Sequence, residues 1–220
     1  RALVKDAELV LLDEPLANLD YKLREELRQE LRELFKLRNS IAIYATTEPN
    51  EALALGGTTS LLHQGQLLQS GPAIEQYHQP VNLHAADLYS EPPINLLKGH
   101  IKDAELSIEN YASFPVATTF DGIEEGPYTF GIRPSHISLV PKHDSDIELS
   151  TVVDVAEISA SETFLHVANQ DLQMVLQLSG VHDYRTNTPV KIYIPPEKLF
   201  IFEPDGTIIK APNAQLAGEF

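Results

Sequence analysis

Glu8-Leu9-Val10-Leu11-Leu12-Asp13-Glu14-Pro15, with Leu19-Asp20 close behind, decides how the first part of the chain is read. A short apolar run bounded by charge reads as a buried strand over Glu8–Leu12. It ends in two adjacent carboxylates, Asp13 and Glu14, and Pro15 and Asn18 then break the pattern. Asp20 is placed to cap a following helix. In that helix Leu23, Leu27, Leu31 and Leu34 recur on one face. Lys22 with Glu26, Glu25 with Arg28, and Glu33 with Lys36 lie at helical spacing on a solvated face. Ile41–Thr46 reads as a second buried strand, so strand, helix and strand within about forty residues predict a βαβ unit and a parallel sheet. Two acids at a strand end can hold a divalent cation and polarise a water.

Beyond the second strand, Thr46-Thr47-Glu48-Pro49-Asn50 is a loop, and Pro49 suits the first turn of a helix carrying Glu51. Glu51 itself reads as helix surface. Gln64-Gly65 between two strand-like runs predicts a hairpin, and Pro72–His78 a short helix. The pattern weakens from Pro80 to Asn95, where Pro92-Pro93 marks a domain boundary. After it, strands are expected at Leu97–Lys102, Leu106–Glu109, Tyr128–Ile132, Ile137–Val140, Val152–Ile158, Thr163–Val167, Met174–Leu178, Val190–Ile194 and Leu199–Phe202. Many short strands with turns such as Asn169-Gln170-Asp171 predict a small barrel of the OB type.

Composition limits the function classes. The 220 residues carry 16 Lys+Arg against 32 Asp+Glu, a net charge of −16, and no cysteine. Disulfides and thiolate metal sites are excluded. Nonspecific nucleic-acid binding is disfavoured, because it rests on neutralising phosphates. Residues 95–220 alone hold 8 Lys+Arg and 18 Asp+Glu. The eight histidines show no metal-ligand spacing, and Asp144, Asp146 and Glu148 read as a solvated loop. No apolar run approaches the roughly 20 residues a membrane-spanning helix needs. Arg1 leads directly towards a strand, which reads as part of a longer chain.

Several segments in order carry a resemblance. Leu11-Leu12-Asp13-Glu14-Pro15 with Leu19-Asp20 resembles the Walker B segment and D-loop of ABC-transporter ATPases. Glu51-Ala52-Leu53 is similar to the end of their H-loop, and Gln64–Pro72 to the hairpin after it. Pro92-Pro93-Ile94-Asn95, Gly131-Ile132-Arg133-Pro134-Ser135-His136, Ser161-Glu162-Thr163 after Ala160, and Leu199–Phe202 with Asp205-Gly206 resemble the OB-like regulatory region called TOBE. The whole chain thus resembles the C-terminal part of the ATPase subunit of carbohydrate-importing ABC transporters. The resemblance implies an α/β nucleotide-binding part over 1–91 and an all-β OB-like region over 92–220. It implies ATP and Mg²⁺ as cofactors, Glu14 as the catalytic base, Asp13 holding Mg²⁺ through water, and Asp20 and Thr47 at the nucleotide. It further implies transmembrane permease partners, a second ATPase subunit, an indirect solute-binding protein, and a peripheral place on the cytoplasmic face of the membrane.

The chain departs from that family in two respects. It contains no Gly-x-x-x-x-Gly-Lys-Ser/Thr loop and no Leu-Ser-Gly-Gly-Gln signature, which would precede Arg1-Ala2-Leu3. Thr47 stands where the family has its switch His; Thr donates a hydrogen bond but carries no charge. Two readings of that position stay open: a degenerate site within an asymmetric ATPase pair, and a homodimer with a rearranged loop. The Tyr44–Pro49 sequence resembles glycerol or polyol importers. The competing class is non-enzymatic, an OB-like binding module with an ATPase remnant. Arg133 reads as a structural Arg at a strand end, with an anion or a partner carboxylate as the other reading.

Overall fold

The computed structural model describes residues 7–17, 19–37, 41–103, 105–108, 111, 113–115, 120–159, 161–170 and 172–212. Arg1-Ala2-Leu3, Asn18, Glu109, Ala160 and Asp171, on which parts of the sequence reading fall, lie outside them. The chain divides into two compact units, residues 1–60 with 70–74, and residues 61–69 with 75–220. Among the described residues no helix is long and apolar enough to cross a membrane.

The first unit is built on a βαβ core. Strand β1 (Leu9–Asp13) pairs in parallel with β2 (Ile41–Ala45), and helix α1 (Tyr21–Leu37) crosses between them. Asp20 caps α1 as expected: its Oδ1 accepts the Leu23 N–H at 3.0 Å. Arg28 pairs with Glu25, and Lys36 with Glu33 at 2.9 Å, on the charged face. Helix α2 (Pro49–Leu55) follows β2 and starts at Pro49. Both strands are buried on one face only, which corrects the expectation of fully buried strands. Val10 is buried, whereas Leu9, Leu11, Ile41 and Ile43 are 50–68% exposed. The register Leu9↔Ile41 and Leu11↔Ile43 joins these four into one apolar face. A parallel sheet buries its strands only when both faces are covered, and the second face has no cover among the described residues.

Strands β3 (Thr58–His63) and β4 (Gln66–Pro72) form the predicted hairpin. Gln64 and Gly65 both take positive φ, 48° and 77°, as a two-residue primed turn requires. Pro72 ends β4 instead of opening helix α3, which runs Ala73–His78. Helix α4 (Leu83–Leu88) was not legible in the sequence; Asn82 caps it, accepting the Ala85 N–H at 2.9 Å.

The second unit is mostly β. One antiparallel sheet orders β7 (Ser113–Pro115), β6 (Glu105–Ile108), β5 (Asn95–Lys102), β8 (Gly126–Ile132), β13 (Phe200–Phe202) and β14 (Ile208–Lys210). The other orders β11 (Leu172–Ser179), β10 (Glu162–Asn169), β9 (Ile147–Ile158) and β12 (Pro189–Ile194). Buried and exposed residues alternate strictly along β5 and the first half of β9, so each strand offers one face to the core. Leu97, Phe130, Val153, Leu165, Leu176 and Ile192, from both sheets, share that core. All three residues of β13 are buried. Ile201 joins the shared core, while Phe200 and Phe202 face a second cluster with Ile94 and Ala86 of α4.

The two sheets are tied by polar contacts and exchanged chain. The Asn95 side chain of β5 donates to the Val175 carbonyl of β11 at 2.8 Å and accepts the Val175 N–H at 2.7 Å. The expected strand at Ile137–Val140 is replaced by a 3₁₀ turn, Pro134–His136, and a single bridge from Ser138 to Tyr193 of β12. A matching 3₁₀ turn, Pro196–Lys198, leads from β12 into β13, which pairs with β8. Each proline turn therefore passes the chain from one sheet towards the other.

Candidate functional site

The parallel pairing of β1 with β2 puts their C-terminal ends side by side. Asp13 lies opposite Ala45, and the Glu14 N–H donates to the Ala45 carbonyl at 2.9 Å. The acids and the Thr46-Thr47 segment thereby share one rim of the βαβ core, where ligands of α/β sheets bind. Glu14 adopts φ 44°, in the left-handed region that non-glycine residues seldom take. Its carbonyl accepts the Ala17 N–H at 3.1 Å, closing the turn that follows. Such backbone strain is retained where the surroundings over-determine it, often beside a functional group. Asp13 and Thr47 are exposed and Glu14 is half-buried. Asp20 lies beyond the turn, with its carboxylate engaged in capping α1.

Glu51 corrects the surface reading. It is only 3% exposed, and its Oε2 accepts hydrogen bonds from the Tyr44 and Thr46 hydroxyls, both at 2.7 Å. Thr46 Oγ1 in turn accepts the Glu48 N–H at 3.0 Å. Burial, followed by the Glu51 hydrogen bond and charge, raises the Tyr44 pKa above its ordinary value. A buried carboxylate therefore fixes both residues flanking Thr47 from within. Helical spacing alone could not show this, because the hydroxyls come from β2 and the loop just after it.

Glu48, beside Thr47, is paired. Arg24 Nη1 lies 3.2 Å from its Oε1, and Arg24 Nη2 donates to the Leu19 carbonyl at 3.5 Å. One guanidinium thus links the loop before α1 to the loop after β2 and turns the Glu48 charge towards α1. Among the described residues no cluster of three metal-ligating side chains forms. An exposed aspartate at a strand end is a hard oxygen donor that fits water-mediated Mg²⁺, which keeps much of its hydration and takes few protein ligands.

No protein-family profile matches the chain. Individual relatives do. A maltose/maltodextrin import ATP-binding protein of Mannheimia succiniciproducens is 32% identical over 218 residues, covering 94% of this chain and 58% of its own length. A xylose/arabinose import ATP-binding protein of Haloferax volcanii is 31% identical over 224 residues, covering 95% and 58%. An sn-glycerol-3-phosphate import ATP-binding protein of Ruegeria sp. is 33% identical over 206 residues, covering 93% and 56%. Among solved structures, the molybdate-binding protein ModG aligns with 50% of this chain at 10% identity and a TM-score of 0.39, too low to carry an argument. The chain spans a little over half the length of the curated relatives it matches. Along nearly all of its own length, it is a homologue of the ATP-binding proteins of maltose and sn-glycerol-3-phosphate importers.

Proposed function

We propose that the chain is part of the ATP-hydrolysing subunit of an ABC importer for a sugar, polyol or glycerol-type solute. The observation that carries this is the shared rim: two adjacent acids end β1, and a loop locked by buried Glu51 ends the parallel neighbour β2. In this reading residues 1–91 belong to the nucleotide-binding domain and 92–220 to an OB-like TOBE region. The exposed face of Leu9, Leu11, Ile41 and Ile43 is where further strands or helices of that domain would pack. Burying four such side chains contributes about 1.5–3 kcal/mol each, which supports a larger domain.

Asp13 would hold Mg²⁺ through water, and the ion would neutralise charge on the ATP phosphates. Glu14 orients a water and accepts its proton, aimed by the turn its own carbonyl closes. Thr47 offers a neutral hydroxyl at the rim, positioned through Thr46 and Glu48. A neutral donor in place of a charged one weakens support for the developing charge, by about 10²–10³ in rate for a lost electrostatic contact. The phosphates themselves need a cradle of backbone N–H groups, and the sequence holds no such loop. By itself, therefore, the 220-residue chain should hydrolyse ATP no faster than background. Closure on ATP would be passed to transmembrane permease partners and a second ATPase subunit at the cytoplasmic membrane face. The alternative is an OB-like binding module carrying an inactive remnant, and a native product that lacks a phosphate loop would favour it.

Amide exchange in the full gene product, with and without MgATP, tests the assignment. Slower exchange at Glu14 and Thr46–Glu48 on adding nucleotide is expected; unchanged exchange there would overturn it. In the assembled importer, Thr47→His should raise turnover, and no gain would count against a weakened site.

A further inference from the structure

Glu14 and Thr47 lie on one ring of contacts, and every link of that ring is in the first unit. On one side the Glu14 N–H donates to the Ala45 carbonyl at 2.9 Å, and the Glu14 carbonyl accepts the Ala17 N–H at 3.1 Å. The chain runs on from that turn to Leu19, whose carbonyl accepts from Arg24 Nη2 at 3.5 Å. Arg24 is seated in the first turn of α1, where its own N–H donates to the Asp20 carbonyl at 2.9 Å. From there Nη1 reaches Glu48 Oε1 at 3.2 Å, and the Glu48 N–H returns to Thr46 Oγ1 at 3.0 Å. Among the described residues Arg24 Nε is buried with no partner, so the two Nη contacts are the guanidinium's hold on the loops.

The guanidinium contributes geometry and charge, and the two are separable. Its planar fork spans acceptors from two different loops, which an ammonium point charge does not reproduce. Its charge also offsets that of Glu48. Both side chains are half-buried, so the pair is screened less than one in open solvent. Among the described residues Glu48 has no other ion-pair partner, and Arg28, one turn further along α1, is engaged with Glu25. Without Arg24, a carboxylate would stand uncompensated one residue from Thr47 and would repel a phosphate there. The turn after Glu14 and the Thr47 loop would then be joined only through the β1–β2 pairing.

We propose that Arg24 is a positioning residue for ATP hydrolysis, a latch that holds the turn after Glu14 and the Thr47 loop as one body. It touches neither nucleotide nor water. It acts through the placement of Glu14 against Thr47 and through the neutralised charge of Glu48. The proposal rests on the ATPase reading given above. A misplacement of about 1 Å can cost about 10²-fold in rate. The strand pairing and the Glu51 bonds remain when the latch opens, so the loss should be smaller, about tenfold.

The test is a double-mutant cycle on MgATP hydrolysis by the full gene product assembled with its permease. Arg24→Gln should lower kcat about tenfold and raise KM for ATP about threefold, because Glu48 is left uncompensated. Glu48→Gln should lower kcat as much with no rise in KM. A latch needs both ends, so the double variant should match Glu48→Gln in both constants. A general folding defect would not let KM recover when a second residue is removed. Should Arg24→Gln fail to assemble, the kcat of Glu48→Gln decides alone. The proposal is overturned if wild type turns over and each single variant keeps kcat within about twofold, or if the two losses multiply in the double variant. No hydrolysis by the wild-type complex would overturn the ATPase reading itself, and the proposal with it.

Discussion

Replacing Glu51 with Gln removes a carboxylate that receives two hydroxyls, Tyr44 and Thr46, in a site only 3% exposed. The amide retains one acceptor oxygen, but its NH₂ group faces where a hydroxyl donates. Each hydrogen bond to a carboxylate contributes about 1.5–3 kcal/mol, and leaving a buried hydroxyl unmade costs a similar amount. With one bond lost and one weakened, Glu51→Gln should destabilise the first unit by about 2–4 kcal/mol. That unit rests on two paired strands, an arrangement of marginal stability by itself. The loss should therefore appear as faster amide exchange across Ile41–Ala45 and at Glu48, with the β5 amides unaffected. Tyr44 should also ionise closer to its ordinary pKa, since Glu51 ranks next after burial among the causes that raise it. The sign follows: a phenol raised on folding contributes stability below its unfolded pKa of about 10, lost as pH rises through the folded value. Exchange at Ile41–Ala45 unchanged to within about 0.5 kcal/mol would refute the view that Glu51 locks the loop.

Other outcomes follow from the β-rich unit. Asn95→Ala breaks both side-chain bonds to Val175, and should cost about 2–4 kcal/mol with loss of exchange protection at the Val175 amide. Gly131→Ala would put a methyl 2.9 Å from both Ile94 and Phe202, so overpacking should cost about 1–3 kcal/mol in a thermal melt. His136, held near 4 by burial and neighbouring cations, binds fewer protons folded than unfolded between about pH 4 and 6.5. Stability should therefore fall on acidification through that window, and His136→Gln should flatten the fall in a urea titration at each pH.

What was legible in the sequence was local. Asp20 capping α1 and the Gln64-Gly65 turn each depend on a few adjacent residues, and both hold. Strand-like runs between turn residues marked most strands of the β-rich unit, and β5 and the first half of β9 alternate in burial. What failed depends on distant partners. Helix α4 is short and is seated by Leu83 donating to the Gly206 carbonyl, far along the chain. Strands β7 and β14 have three residues each, too few for a period to show. Glu51 looked like surface because its partners come from β2 and the loop after it. Arg133 does follow the end of β8 as read, but its aromatic cage comes from α3 and β13, 56 and 67 positions away, and no local pattern shows it. At the rim, the strand-end acids were visible, whereas the Arg24 tie that redirects Glu48 needed the folded chain.

The intact mass and peptide map of the native gene product test the central claim most directly, since that claim makes this sequence part of an ATPase. The account predicts a mass well above 24.4 kDa, with a peptide carrying a phosphate-binding loop upstream of Arg1. A native product near 24.4 kDa with no such peptide would contradict it and leave the OB-like binding module as the reading.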